Sequence, residues 1–205
     1  MIVHKYERMT RHDSICIINS AEPGILEFTG PILEEVDKLG LKSNVLEWRD
    51  LRGQDTLPGY RAVFISASPM GNNANFQERI HSFKWLKSTT VPVLGICAGH
   101  QFIGHLFGGD LIPNSHSEEG LSMVSILQKD PIFKGMEQQI SVVQQHLDSI
   151  SLPPGFVLLA SSERCKVQGI RHPEKPLYGV QWHAEISSLQ MIRNLIQIAE
   201  LYKRS

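Results

Sequence analysis

The sequence predicts an α/β fold: a mostly parallel central sheet flanked by helices, with a smaller antiparallel strand element in the C-terminal half. Three observations carry this reading. Short apolar runs alternate with helical periodicity up to about residue 107, at the pace of βαβ units. The runs of strand length there carry no polar alternation, the pattern of strands covered on both faces. Beyond Gly108-Gly109 short strand candidates follow one another between Pro/Gly turns.

Each element has its own signal. After a polar lead-in, Ser14–Asn19 is an apolar run ended by the turn-forming Ala21-Glu-Pro-Gly24. Ile32, Leu33, Val36 and Leu39 recur at helical spacing up to Gly40. Asn44–Trp48 reads as a second strand, and Tyr60–Ile65 as a third, entered from Leu57-Pro-Gly59. Phe76, Ile80, Phe83 and Leu86 mark a second amphipathic helix, followed by the strand Val91–Ile96. Phe102, Ile103, Leu106 and Phe107 then form the apolar face of a third helix. Strand candidates follow at Leu121–Leu127, Ile140–Gln145, Phe156–Ala160, Val167–Ile170 and Leu177–Trp182, with His172–Pro176 as the hairpin loop between the last two. A closing helix is expected over Ser188–Arg204, with Leu189, Ile192, Leu195, Ile196 and Ala199 on one face.

Composition narrows the partners. The chain has 205 residues, 41% of them hydrophobic and 20% charged, without repeat, low-complexity tract or linker, so one domain spanning 1–205 is expected. Twenty basic side chains against 21 acidic ones leave a net charge of −1, which recommends neither nucleic acid nor an anionic membrane as a partner. Cys16, Cys97 and Cys165 are odd in number and far apart, which fits neither a disulfide framework nor zinc knuckles and favours a reducing, cytoplasmic setting. The N-terminal residues lack the apolar core of a secretory signal, and no stretch approaches the ~18 apolar residues of a membrane span.

Chemistry concentrates at two places. Cys97 stands between a buried strand and a helix, with Gly95 and Gly99 two positions to either side, as a sharp elbow that presents a nucleophile requires. The helix start beyond it offers free N–H groups and partial positive charge, which favour thiolate. Far along the chain, Tyr178-Gly-Val-Gln-Trp-His-Ala-Glu185 ends a predicted strand in His183 and Glu185. Positions i and i+2 of an extended chain face one side, so the carboxylate can orient an imidazole that takes and returns a proton.

Gly95-Ile-Cys-Ala-Gly-His-Gln101 resembles the nucleophile motif of class I, triad-type glutamine amidotransferases, and Gly179-Val-Gln-Trp-His-Ala-Glu185 resembles their histidine-glutamate motif. The resemblance covers nearly the whole chain. Ser66-Ala-Ser-Pro-Met70 takes the place of the family's Gly-Gly-Pro loop, and Gln145-His-Leu-Asp148 with Leu152-Pro-Pro-Gly-Phe156 is most similar to the glutaminase part of GMP synthase. It implies a flavodoxin-like fold and hydrolysis of L-glutamine to glutamate and ammonia through a γ-glutamyl thioester. Cys97 would be the nucleophile, His183 the proton carrier and Glu185 its holder. Oxyanion donors would come from Ala98 and from the Ala67-Ser68 loop. Gln101, Gln145 and His146 would lie at the substrate, and Asp148 would serve coupling to a partner. No metal and no cofactor is implied. A chain of this length is expected to pass its ammonia to a separately encoded ATP-dependent synthetase.

Three departures from the family pattern leave alternatives open. Ala67 and Ser68 replace loop glycines that let a backbone N–H turn toward an oxyanion, so the hole is expected to be weakened or locked in one state. Leu147 stands where glycine and Gln145 where serine is usual, and Ala184 replaces a proline. A γ-glutamyl amine or peptide hydrolase, and a catalytically silent binding module of the same fold, are the competing readings.

Overall fold

The computed structural model describes residues 13–57, 59–69 and 73–202. Most of the polar lead-in, Pro58, Met70 and the Lys203-Arg204 end lie outside the described residues.

Eleven strands are present among the described residues: β1 (Ile15–Asn19), β2 (Ser43–Glu47), β3 (Ala62–Ile65), β4 (Val93–Ile96), β5 (Leu111–Ile112), β6 (Glu118–Ile126), β7 (Gln139–His146), β8 (Ser149–Ile150), β9 (Val157–Ser162), β10 (Gly169–Arg171) and β11 (Leu177–Val180). Among the same described residues, five α-helices accompany them: α1 (Gly30–Lys38), α2 (Asn73–Ile80), α3 (Ala98–Leu106), α4 (Ala184–Ser187) and α5 (Leu189–Tyr202). Nine strands form one sheet in the order β2-β1-β3-β4-β11-β10-β9-β6-β7, and β5 pairs β8 in a small antiparallel ribbon. The sheet is parallel from β2 through β11 and antiparallel from β11 to β7, so the C-terminal antiparallel element is fused to the parallel half.

The parallel half is buried on both faces. Along β1, Ile15 and Ile17 join one apolar cluster with α1 and α5, while Cys16 and Ile18 join another with α2 and α3. Phe102 fixes α3 in the second cluster, its ring stacked on Phe83 at 4.3 Å and on Phe76 at 5.1 Å between centroids. The apolar pattern Phe76–Leu86 reads as one helix, but the chain leaves α2 at Ile80 and continues as 3-10 turns over His81–Lys87, burying Phe83, Trp85 and Leu86.

The loops that follow β3, β4 and β11 all leave the carboxyl ends of neighbouring parallel strands, the edge where open α/β sheets carry their sites. The antiparallel half curls back over that edge. Although β7 lies four strands from β11, the His183 N–H, just past β11, donates to the Val143 carbonyl of β7 at 2.9 Å. Ser187 Oγ closes the clasp, donating to the His183 carbonyl at 2.9 Å and accepting from the Val143 N–H at 3.1 Å.

Candidate active site

Cys97 is the N-cap of α3 and has φ +50° and ψ −100°, a conformation side-chain-bearing residues rarely adopt. Its N–H donates to the Val180 carbonyl at 2.8 Å and its carbonyl accepts from Gln101 N–H at 3.1 Å, which holds the elbow to β11 and to its own helix. The flanking glycines are sterically required. A Cβ on Gly95 would lie 2.5 Å from the Gly99 backbone, and one on Gly99 would lie 2.7 Å from the Ile65 carbonyl oxygen.

His183 follows β11, the sheet neighbour of β4, which brings it to the same cavity as Cys97. Its Nδ1 is 2.7 Å from Glu185 Oε1, a short charge-assisted contact, and both side chains are buried. This pairing is made across a turn rather than along an extended strand. β11 ends at Val180, His183 caps α4 with ψ 80°, and Glu185 lies in the first turn of that helix. Cys97 Sγ and His183 Nε2 meet at one point, the Gln145 carbonyl oxygen, 3.9 and 3.5 Å away. Both contacts are long and weak.

Burial alone would lower the His183 pKa, but the hydrogen bonds and charges of Cys97 and Glu185 outweigh it and raise it to about 10. The ring is therefore protonated at neutral pH. Burial instead raises the Cys165 thiol to about 11 and lowers His100 to about 3, so the one is a protonated thiol and the other a neutral core imidazole beside Gly179.

The cavity, of about 670 Å³, is lined by Ser68, Cys97, Ala98, Gln101, Gln145, His146, Asp148 and His183 among others. Glu185 stands behind His183, and Ala67 is wholly buried behind Ser68. Not every residue singled out in the sequence presents its side chain there as a free group. Gln101 Nε2 donates to the Asp148 carbonyl at 3.1 Å and to Gln181 Oε1 at 3.2 Å, so it braces the loop. Gln145 meets Cys97 and His183 through its main-chain carbonyl. His146 Nδ1 is 3.1 Å from the Asp148 carbonyl, and Asp148 Oδ1 accepts from the Asn114 N–H at 2.9 Å.

The loop after β3 is locked. Ser66 Oγ donates to the Ala67 carbonyl at 2.9 Å, and Ser20 Oγ lies 2.6 and 3.2 Å from the carbonyls of Ser66 and Ala67. Since a peptide is planar and trans, pinning the Ala67 carbonyl also fixes the opposite direction of the Ser68 N–H. Arg79 completes the lock. Its buried guanidinium donates to Ser68 Oγ and the Ser20 carbonyl, pairs with Glu22 at 2.8 Å and lies over the Trp48 ring.

Sequence reasoning missed three contributors. Gln181 Nε2 donates to Cys97 Sγ at 3.5 Å; its place two residues before His183, inside the histidine-glutamate motif, was the available signal. Phe28 packs its ring 5.6 Å from that of His183, and Arg79 reaches in from α2; neither has a local signature.

Comparison with known proteins identifies the family and the fold. The family model described as "Glutamine amidotransferase class-I" matches residues 25–198. A curated relative from Archaeoglobus fulgidus, named as a subunit of glutamine-hydrolyzing GMP synthase, is 40% identical over 167 residues, covering 79% of this chain and 87% of its own. The protein of the same name from Thermoplasma acidophilum is 35% identical over 179 residues, covering 77% and 88%. Among solved structures, a putative GMP synthase subunit from Thermoplasma acidophilum superposes with a TM-score of 0.75 at 27% identity, over 93% of this chain and 96% of that one. A glutamine amidotransferase from Thermotoga maritima shares the fold, with a TM-score of 0.71 at 20% identity over 94% and 86%. With the family model spanning most of its length, and the elbow cysteine and a histidine-glutamate pair facing one cavity, this chain belongs to the class I glutamine amidotransferases.

Proposed function

We propose that this chain is the glutaminase subunit of a two-subunit GMP synthase, hydrolysing L-glutamine and passing the ammonia to a separate ATP-dependent synthetase. The observation that carries it is the strained Cys97 elbow facing the His183–Glu185 pair across one cavity. The names of the relatives supply the substrate and the partner class.

In this reading Cys97 and His183 react as a thiolate–imidazolium pair, the thiol proton residing on His183, and Cys97 Sγ attacks the side-chain amide carbon of glutamine. The oxyanion forms against the Ala98 N–H at the start of α3 and the Ser68 N–H, whose direction the pinned Ala67 peptide sets. Protonated His183 gives its proton to the departing nitrogen, ammonia leaves, and the γ-glutamyl thioester remains. Acylation removes the Cys97 thiolate, and with it the hydrogen bond and charge that are two of the influences raising the His183 pKa. The ring then becomes a better base, takes a proton from water, and hydroxide attack on the thioester releases glutamate and restores Cys97. Glu185 fixes the tautomer throughout. Gln101 and His146 would shape the glutamine site by holding the Asp148 loop, and Asp148 with the exposed Leu147 at the rim would be the surface that meets the synthetase.

Glutamate and ammonia release from L-glutamine, measured alone and with an ATP-dependent GMP-forming synthetase, tests the proposal. Release that the synthetase stimulates is expected; preference for a bulky γ-amide over glutamine would redirect it to a γ-glutamyl hydrolase.

The raised pKa of His183 sets a pH signature. Ammonia expulsion needs its proton, so single-turnover acylation is expected to persist into alkaline pH and fall as pH rises through about 10. Glu185→Gln removes one raising influence and should move that limb to lower pH. Stability follows the same sign. The folded state holds this proton above the ordinary 6.5, so the contribution is complete below about 6.5 and lost as pH rises to about 10. Denaturant midpoints between pH 7 and 10 should fall more steeply for the native protein than for His183→Asn.

A further inference from the structure

Beside the active cavity lies a second group of chemically active side chains that the glutaminase reading does not use as nucleophile, acid or base. Glu118 opens β6, His146 closes β7, and the two are cross-strand partners; Cys165 sits in the connection between β9 and β10. A carboxylate oxygen, a ring nitrogen and the thiol sulfur, one from each, lie within 4.8 Å of one another, and all three residues are buried. Mixed sulfur, nitrogen and oxygen donors in one buried cluster suit a borderline-soft cation.

The histidine is the decisive member. Its side chain is 1% exposed, and Nδ1 is held by the Asp148 carbonyl at 3.1 Å. Nε2 is buried without a hydrogen-bond partner and stands 3.4 Å from Glu118 Oε2. A ring whose one nitrogen is anchored to a carbonyl while the other faces a carboxylate without a well-formed hydrogen bond is compatible with the arrangement found behind metal-ligating histidines. The spacing fits too: two ligands each about 2.0–2.1 Å from a tetrahedral ion lie roughly 3.3–3.4 Å apart. Gln168 adds a fourth group. Its Nε2 donates to Glu118 Oε2 while its Oε1 is buried and unpartnered, and a half-turn of the amide exchanges the two.

We propose that Glu118, His146 and Cys165 form a binding site for a zinc-class divalent cation, the Cys165 thiol releasing its proton to solvent as the ion binds, with the Gln168 carbonyl oxygen or a water completing a tetrahedron. Glu118 and His146 both line the active cavity, which gives the ion its way in. The three positions are scattered through the chain, so no short-range ligand spacing announces the site.

Cobalt(II) tests this with a readout independent of glutamine hydrolysis. In a Cys97→Ala background, where the nucleophile cannot contribute, Co2+ titration is expected to give a thiolate-to-cobalt absorption band saturating at one equivalent and erased by Zn2+. The band should vanish in Cys97→Ala/Cys165→Ser, and His146→Ala should weaken Co2+ binding by at least about tenfold. As a second measurement, Zn2+ at 100 times its dissociation constant should raise the melting temperature of the otherwise unaltered protein by roughly 5–10 °C. Absence of both the band and the melting shift at 100-fold molar excess of metal would overturn the proposal. A band that survives Cys165→Ser, or one that appears only when Cys97 is present, would equally place the metal elsewhere.

Discussion

Replacing Cys97 with alanine is expected to lower glutamine hydrolysis by roughly 10⁴-fold or more, because Cys97 is the only thiol among the described residues that line the cavity. Folding should be untouched by the loss of the thiol itself, since alanine retains the Cβ and with it the strain of φ +50°. Cys97→Gly provides the control that separates chemistry from backbone. It is equally inactive, yet relieves the conformational cost and should be more stable than Cys97→Ala by about 1–2 kcal/mol in urea denaturation. Equal stabilities would mean that the elbow stores no strain; a Cys97→Ala enzyme with undiminished rate would remove Cys97 from the mechanism.

The largest structural effect is expected at the two flanking glycines. In Gly95→Ala the new methyl would meet the Gly99 carbonyl carbon and oxygen at 2.5 Å, and in Gly99→Ala it would meet the Ile65 carbonyl oxygen at 2.7 Å. These obstacles are main chain of the central sheet and of α3, so they cannot rotate away as a side-chain tip can. Each substitution should cost about 3 kcal/mol or more, a drop in melting temperature of roughly 6–12 °C for a chain of this size. Gly30→Ala, at the start of α1 with nothing within 4 Å of the new Cβ, should be neutral or stabilising by up to about 1 kcal/mol. Calorimetry of the three variants side by side checks the contrast.

These glycines also show why part of the site was legible in the sequence. A sharp strand-to-helix turn needs small residues at fixed offsets, and Gly95 and Gly99 stand at those offsets around a cysteine. The parallel strands were legible for a related reason: Ile15–Ile18 and Val93–Ile96 are buried on both faces and so are apolar throughout. What lacked a local pattern was not legible. The two-residue strands Leu111–Ile112 and Ser149–Ile150 are too short to show periodicity, and the curl that returns Val143 to His183 depends on sheet twist summed over four strands. The motif places Gln145 at the substrate, but that it is the Gln145 main-chain carbonyl that faces the cysteine and histidine was not legible, because main-chain groups have no residue signature. The replacement of loop glycines by Ala67 and Ser68 did announce a change. Its physical form, a loop held by the adjacent Ser66 together with Ser20 and Arg79, required two residues from elements elsewhere in the sequence.

The central claim, that Cys97 forms a covalent bond with the γ-carbon of a glutamine-like substrate, is tested most directly by intact-protein mass spectrometry after exposure to a glutamine analogue carrying a diazo-ketone in place of the side-chain amide. The account predicts one adduct per chain, mapped to Cys97, suppressed by excess L-glutamine and absent from Cys97→Ala. An unmodified protein, or an adduct on Cys16 or Cys165 that glutamine does not suppress, would contradict it.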